Sequence, residues 1–232
     1  MRASRLLGIV VAATMFATVT CGSVAGAANL GPQTNKTLGA WVIPGGTGAP
    51  NVVTWANFTG VTGTNLSGKA LNGPGNWIVG GGTWTIQTNT ARSTRVARAR
   101  MTVNAGTQNA AALATLTFGA SPDAGLVALD NGTVYVYAIY STAAGGKITL
   151  YKYSGGAVVL GTVTGVGRPA SALMKLDAST TTLKVSFAGT LVLSYTLTAA
   201  EIAVFKTPAN NRFGLIADND NATRFDDFHV DN

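Results

Sequence analysis

The sequence predicts an all-β sandwich, and three observations carry the prediction. From Val52 onward the chain is cut into short apolar runs, with Gly, Asn, Asp, Ser or Pro between them every ~8–12 residues, the rhythm of antiparallel sandwiches. Several runs alternate apolar and polar side chains, the two-residue period of a half-buried strand. Only one segment carries a helix-start signal, which excludes a fold built from alternating strands and helices.

The chain opens with a basic stretch, Met1 to Arg5, then an apolar run, Leu6 to Val19, then Ala25-Gly26-Ala27. These are the three parts of a secretory signal peptide over residues 1–27. The apolar run is shorter than the ~20 residues a spanning helix needs, so it is not read as an anchor. Cys21 is the only cysteine and leaves with the leader. The exported chain is therefore expected to have no disulfide and to hold itself together by burial. At 47% hydrophobic and 11% charged residues, it is not a disordered chain. Net charge is +7, and losing Arg2 and Arg5 leaves +5. The excess reflects nine acids rather than abundant bases. Two readings stay open: a field that favours anionic polymers, or a solvated surface short of acids.

Residues 28–51 are polar and rich in Gly and Pro, interrupted by Trp41-Val42-Ile43. They predict a flexible lead-in. Pro44-Gly45-Gly46-Thr47-Gly48 lacks the Lys-Ser/Thr ending of a phosphate loop, so nucleotide binding is not supported. The folded domain is expected over 52–232. Trp55 and Phe58 bracket the first strand; Asn76 to Val79 and Thr83 to Ile86 follow a turn-rich loop. Arg95 to Val103 alternates and reads as one strand, with Ala97, Ala99, Met101 and Val103 on one face. Further strands are expected at Ala111 to Phe118, Gly125 to Leu129, Val134 to Tyr140, Lys147 to Tyr153, Val158 to Val163, Leu173 to Leu176, Leu183 to Phe187 and Leu191 to Leu197. Gly189 predicts a tight hairpin between the last two. Thr198-Ala199-Ala200-Glu201 has the form of a capping box, so one helical turn is expected, ended by Pro208.

The chain closes with Phe213-Gly214-Leu215-Ile216-Ala217, the polar turn Asp218 to Asn221, and Phe225-Asp226-Asp227-Phe228-His229-Val230. Phe225, Asp227 and His229 share one parity; Asp226, Phe228 and Val230 share the other and are the expected inward set, although Phe225 argues the opposite way. This ending resembles the close of the concanavalin A-like lectin/glucanase superfamily in its laminin-G-like branch. The stretch from Trp55 and Phe58 through Gly60, Leu66 and Gly68 to Trp77 and Gly82-Thr83-Trp84 is similar to the same family's opening strands. The resemblance implies a two-sheet antiparallel jelly-roll sandwich with one short helical turn. It also implies glycan or matrix binding.

Candidate sites follow. Tyr135 and Tyr137 share a face, and Tyr151 and Tyr153 share a face on the expected neighbouring strand. Four tyrosines so placed would form a platform for a polysaccharide, since rings stack on sugar C–H faces; equally, they would be cross-strand pairs that stabilise a sheet. Arg98 and Arg100 would hold sulfate, phosphate or carboxylate, or would simply guard a strand with charge. The resemblance implies one structural calcium ion on an aspartate of the last strand, and Asp226 and Asp227 stand at that place. Glycan hydrolysis by paired carboxylates is not expected. Glu201 is the only glutamate and is used as a cap, and Asp226 and Asp227 should point to opposite faces. His229, the only histidine, is expected to be structural or exposed. Nucleic acid is not expected as a partner, nor is stable membrane insertion. The resulting expectation is a secreted, non-catalytic carbohydrate-binding or adhesion module. A structural or protein-interaction domain and a glycan hydrolase or lyase are the alternatives.

Overall fold

Strand periodicity divides the side chains into an inward set and an outward set, and two sheets bury their inward sets against each other. The computed structural model describes residues 52–94 and 96–232. The leader and the lead-in expected over 1–51 lie outside the described residues. The compact unit Thr47–Asn232 carries the fold. In chain order its strands are β1 (Val52–Ala56), β2 (Ile78–Val79), β3 (Trp84–Ile86), β4 (Ala91–Ser93), β5 (Ala99–Asn104), β6 (Ala111–Thr117), β7 (Asp123–Asp130) and β8 (Val134–Ser141). After a 3-10 turn at Ala143–Gly145 come β9 (Lys147–Ser154), β10 (Ala157–Thr164), β11 (Ser171–Asp177), β12 (Thr182–Phe187) and β13 (Thr190–Thr196). Helix α1 (Ala199–Phe205), β14 (Arg212–Ala217) and β15 (Arg224–Asp231) complete the chain.

One sheet has the order β13-β12-β11-β6-β15-β4-β3, with β1 also paired to β15. The other has the order β10-β9-β8-β7-β14-β5-β2. Every strand pair is antiparallel. The fold is thus the two-sheet jelly-roll sandwich that the sequence implies. Between the sheets lie Trp84, Leu116, Met174, Val185, Phe225 and Phe228 from one, and Met101, Leu126, Tyr140, Ile148, Phe213 and Leu215 from the other. Strand β6 runs through the middle of its sheet, and Ala112, Ala114 and Leu116 all face this core.

Local rules operate where the sequence places them. Ala188 (φ 49°) and Gly189 (φ 82°) both take left-handed angles in the two-residue turn joining β12 to β13, the primed geometry that matches strand twist. Thr198 accepts the Glu201 N–H, and the Glu201 carboxylate accepts the Thr198 N–H at 2.9 Å, a complete capping box at the start of α1.

Three expectations are corrected. The strand expected from Arg95 to Val103 begins only at Ala99, because Arg98 sits at φ 49° in a turn that ends the alternation. Strand β4 and the 3-10 turn were not expected; β4 forms because Thr88 and Asn89 adopt left-handed angles and fold Ala91–Ser93 back onto β3. The third correction concerns parity in β15. Asp226 pairs with Thr115 and His229 with Leu113, so three steps on β15 oppose two on β6. Asp227 (φ 48°) is the extra residue of a β-bulge. Phe225, Phe228 and Val230 are all buried as a result, which strict alternation forbids.

Candidate functional site

Strands β8 and β9 pair so that Tyr135 lies opposite Tyr153 and Tyr137 opposite Tyr151. The even members of β8, Val136, Ala138 and Tyr140, face the core, so the odd members face outward. Together with Val127, Ile139 and Ile216 the four tyrosines form a second apolar cluster, on the outer face of the seven-stranded sheet. The rings of each cross-strand pair are nearly parallel, at 17° and 12°, with centroids 4.8 Å apart. That separation equals the strand spacing, so each pair stacks face to face and closes those faces to anything else. Tyr135 and Tyr137 are buried, whereas Tyr151 and Tyr153 are half-buried. The expected four-ring platform is thus two covered rings and two accessible ones. Burial, and then the neighbouring rings, push the Tyr137 phenol well above its ordinary pKa; the hydroxyl stays protonated and able to donate.

Both arginines reach this face. The Arg100 guanidinium lies 4.5 Å from the Tyr135 ring centroid and that of Arg98 lies 5.1 Å from the Tyr153 centroid, both in cation–π range. They arrive by different routes. Arg100 projects from β5. Its Nε is 3.5 Å from the Asp130 carboxylate, and its Nη2 donates to the Gly132 carbonyl at 2.8 Å. Asp130 is itself buried and accepts the Gly132 N–H at 2.8 Å. A Cβ on Gly80 would come within 2.7–2.9 Å of the Arg100 side chain, so glycine there makes room for it. Arg98 is held by its backbone in the left-handed region, with its N–H donated to Asp218 Oδ1 at 3.0 Å. Arg92, close to these two in sequence, lies on β4 in the other sheet.

Sequence reasoning missed Asp123. It opens β7 beside the end of β14, where its carbonyl accepts the Asp218 N–H at 2.7 Å. Burial first, then Asp218 and Asp220, push its carboxyl up to about 6, against an opposing pull from Lys147. Only the pairing of β7 with β14 reveals this neighbourhood, since nearly a hundred residues separate the acids. Asp220 is occupied structurally: it accepts the N–H groups of Ala222, Thr223 and Asp123 and the Thr223 hydroxyl. Glu201 is likewise engaged, by Thr198, by the Lys152 ammonium at 2.6 Å and by the Tyr195 hydroxyl.

Asp226 and Asp227 do not separate to opposite faces of a regular strand, because Asp227 is the bulged residue and donates its N–H to Asp226 Oδ1 at 2.9 Å. Among the described residues, no three His, Cys, Asp or Glu side chains group where they could hold a metal ion. A calcium ion on this pair would draw its remaining oxygen ligands from backbone carbonyls and water. No helix among the described residues is long and apolar enough to cross a membrane.

No protein-family profile matches this chain, and no curated protein matches it by sequence. Solved structures do match by fold. A carbohydrate-binding module, CBM66, from Bacillus subtilis superposes with a TM-score of 0.55 at 14% identity, covering 67% of this chain and 95% of the module. The GH43 protein BlXynB from Bacillus licheniformis gives 0.51 at 18% identity, over 64% of this chain and 34% of that protein. A structure described with endo-acting O-glycanases of the human gut microbiota gives 0.51 at 7% identity, over 78% of this chain and 99% of that one. At these identities the likeness is one of fold, the two-sheet β-sandwich.

Proposed function

We propose that this chain is an exported, non-catalytic carbohydrate-binding domain of the concanavalin A-like, laminin-G-like type, with its ligand lying across the tyrosine–arginine face. The observation that carries the reading is the convergence of Tyr151, Tyr153 and Arg98 on one sheet face, over a floor of Tyr135, Tyr137 and Arg100. Half-buried rings offer sugar C–H groups a surface, and phenol hydroxyls offer sugar hydroxyls partners. The two arginines suit a glycan that carries carboxylate or sulfate. Arg100 already faces Asp130, whereas among the described residues the Arg98 guanidinium is paired with a ring and no carboxylate, so Arg98 is the group with charge to give. Fold likeness to a carbohydrate-binding module supports the class of ligand by analogy. The basic leader followed by an apolar run supports export.

The test is retention of the full exported chain on immobilised neutral, uronate-bearing and sulfated polysaccharides, with released reducing sugar measured in parallel. Acidic polymers should retain it, and less so as salt rises. Tyr153→Ala and Arg98→Ala should each weaken retention about tenfold, the factor that ~1.4 kcal/mol represents. Retention that survives both substitutions would assign the tyrosines to sheet packing and shift the reading to a structural or protein-contact domain. One observation favours hydrolysis: Asp123, raised to about 6 beside Asp218 and Asp220, has the character of a general acid. Released sugar, lost in Asp123→Asn, would establish that second reading.

A further inference from the structure

The outer face of the opposite sheet carries a cluster that the tyrosine face does not explain. Trp55, on β1, is 44% exposed, although Trp77 and Trp84 are buried. It pairs with His229 on β15, which pairs with Leu113 on β6, which pairs with Lys175 on β11. Directly paired residues share a face, so these four lie in one row. The next row on the same face holds Asp231, Ala111 and Asp177. The β-bulge at Asp227 is what turns His229 and Asp231 outward after two inward phenylalanines. From Trp55 to Lys175 the row crosses three strand spacings, roughly 14 Å, the reach of a few sugar units.

The groups of this face are ordered but not saturated. Lys175 Nζ is 3.2 Å from Asp177 Oδ2, and His229 Nε2 is 3.7 Å from Asp231 Oδ2. Asp231 Oδ1, by contrast, is buried and has no hydrogen-bond partner. Oδ1 is shielded from solvent while the side chain keeps some exposure, so a ligand hydroxyl would reach this carboxylate at Oδ2, beside His229. Trp55 is restrained as well: a Cβ on Gly73 would stand 3.1 Å from its Cδ1, so the chain at Gly73 abuts the pyrrole edge of the indole. A fixed, half-exposed indole in the row of His229, with a carboxylate in the next row, matches the needs of a sugar ring, which presents C–H groups on one face and hydroxyls at its rim. Lys175 is offset by Asp177, and the Asp231 carboxylate faces a histidine rather than a fixed cation, so this face lacks the spare positive charge of Arg98 and favours an uncharged sugar over an acidic one.

We propose that Trp55, His229, Asp231, Lys175 and Asp177 form a second glycan site, specific for neutral oligosaccharides, on the sheet opposite the tyrosines. The indole stacks on one pyranose ring, Asp231 Oδ2 and the His229 imidazole meet its hydroxyls, and the Lys175–Asp177 pair meets the next units. This site stands or falls independently of the tyrosine face, since no residue is shared. The experiment is a titration of the full exported chain with neutral xylo-, cello-, manno- and galacto-oligosaccharides, read by tryptophan fluorescence and by calorimetry. At least one series should give a saturable fluorescence change. Trp55→Ala should abolish that change, Trp55→Phe should preserve heat of binding, and Asp231→Asn should weaken binding tenfold or more. Tyr153→Ala should leave all of this unchanged. Absence of any saturable change with all four series overturns the proposal, as does an equal change in Trp55→Ala. Loss of binding in Tyr153→Ala at an unchanged melting temperature would overturn it too, by assigning neutral sugars to the tyrosine face.

Discussion

Glu201 shows how much a single side chain can organise. It caps α1, pairs with Lys152 of β9 and accepts from Tyr195 of β13, so it ties the helix to both sheets. Burial alone would raise its pKa, but the Lys152 ammonium, the Thr198 N–H and hydroxyl and the Tyr195 hydroxyl outweigh it and bring the carboxyl down to about 2. A carboxyl lowered in the folded state stabilises the fold above its unfolded pKa near 4.5 and loses that contribution as pH falls towards 2. Glu201→Gln should therefore cost about 1–3 kcal/mol at neutral pH, and the cost should shrink in melts taken at pH 2–3. Asp123 has the opposite sign. Its folded pKa of about 6 exceeds the ordinary 3.8, so its ionisation opposes folding, increasingly as pH rises from 3.8 through 6. Asp123→Asn should raise the melting temperature at pH 8 and leave it unchanged below pH 4. Neither behaviour could be read from the chain alone. The capping box was legible because its two residues are three apart, whereas Asp218 and Asp220, the acids beside Asp123, come from the turn between β14 and β15 near the far end of the sequence.

At the scale of elements, the alternation rule predicts most strands and fails where a residue takes a left-handed angle. Strand β15 is the instructive case. Phe225 and Phe228 gave contradictory parities, and the contradiction was itself the signature of the bulge at Asp227. Asp227→Gly should be tolerated within about 1 kcal/mol, because glycine reaches φ 48° without a steric cost. Deleting Asp227 would put Phe228, His229 and Val230 on the wrong faces and should abolish cooperative unfolding in a denaturant melt. In β7, a Cβ on Gly125 would lie 1.9 Å from the Ala138 carbonyl oxygen of β8. Gly125→Ala should thus destabilise the protein by about 3 kcal/mol or more, measured by chemical denaturation. The same strand pair positions Tyr137, so the glycine also matters for the shape of the tyrosine face.

For the whole molecule, the sandwich was legible from strand rhythm and from the closing strands, because two-sided burial leaves a periodic trace in sequence. The tyrosine face was half legible. Parity put Tyr135 with Tyr137 and Tyr151 with Tyr153, but the cover on Tyr135 and Tyr153 comes from Arg100 on β5, three strands from β8 in the sheet, and from Arg98 in the turn before it. The opposite face was not legible, since Trp55, His229 and Lys175 come together only through the central place of β6 and β15. Melting curves with excess calcium and with chelator test the ion that the resemblance implies on Asp226 or Asp227: a higher melting temperature with calcium would establish it, and coincident curves would remove it.

Strand β1 pairs with β15, so Val52 stands opposite Asp231 and the domain is entered and left at one corner. That placement has a mechanical consequence. A pull applied through both ends would load the β1–β15 ladder at its final rung and open its bonds one after another, as a zip opens. A pull through one end, with a ligand as the opposing grip, would instead load many rungs of a sheet at once. A domain wired this way resists drag when tethered by one end and holding by its face, and yields at low force when strung in series.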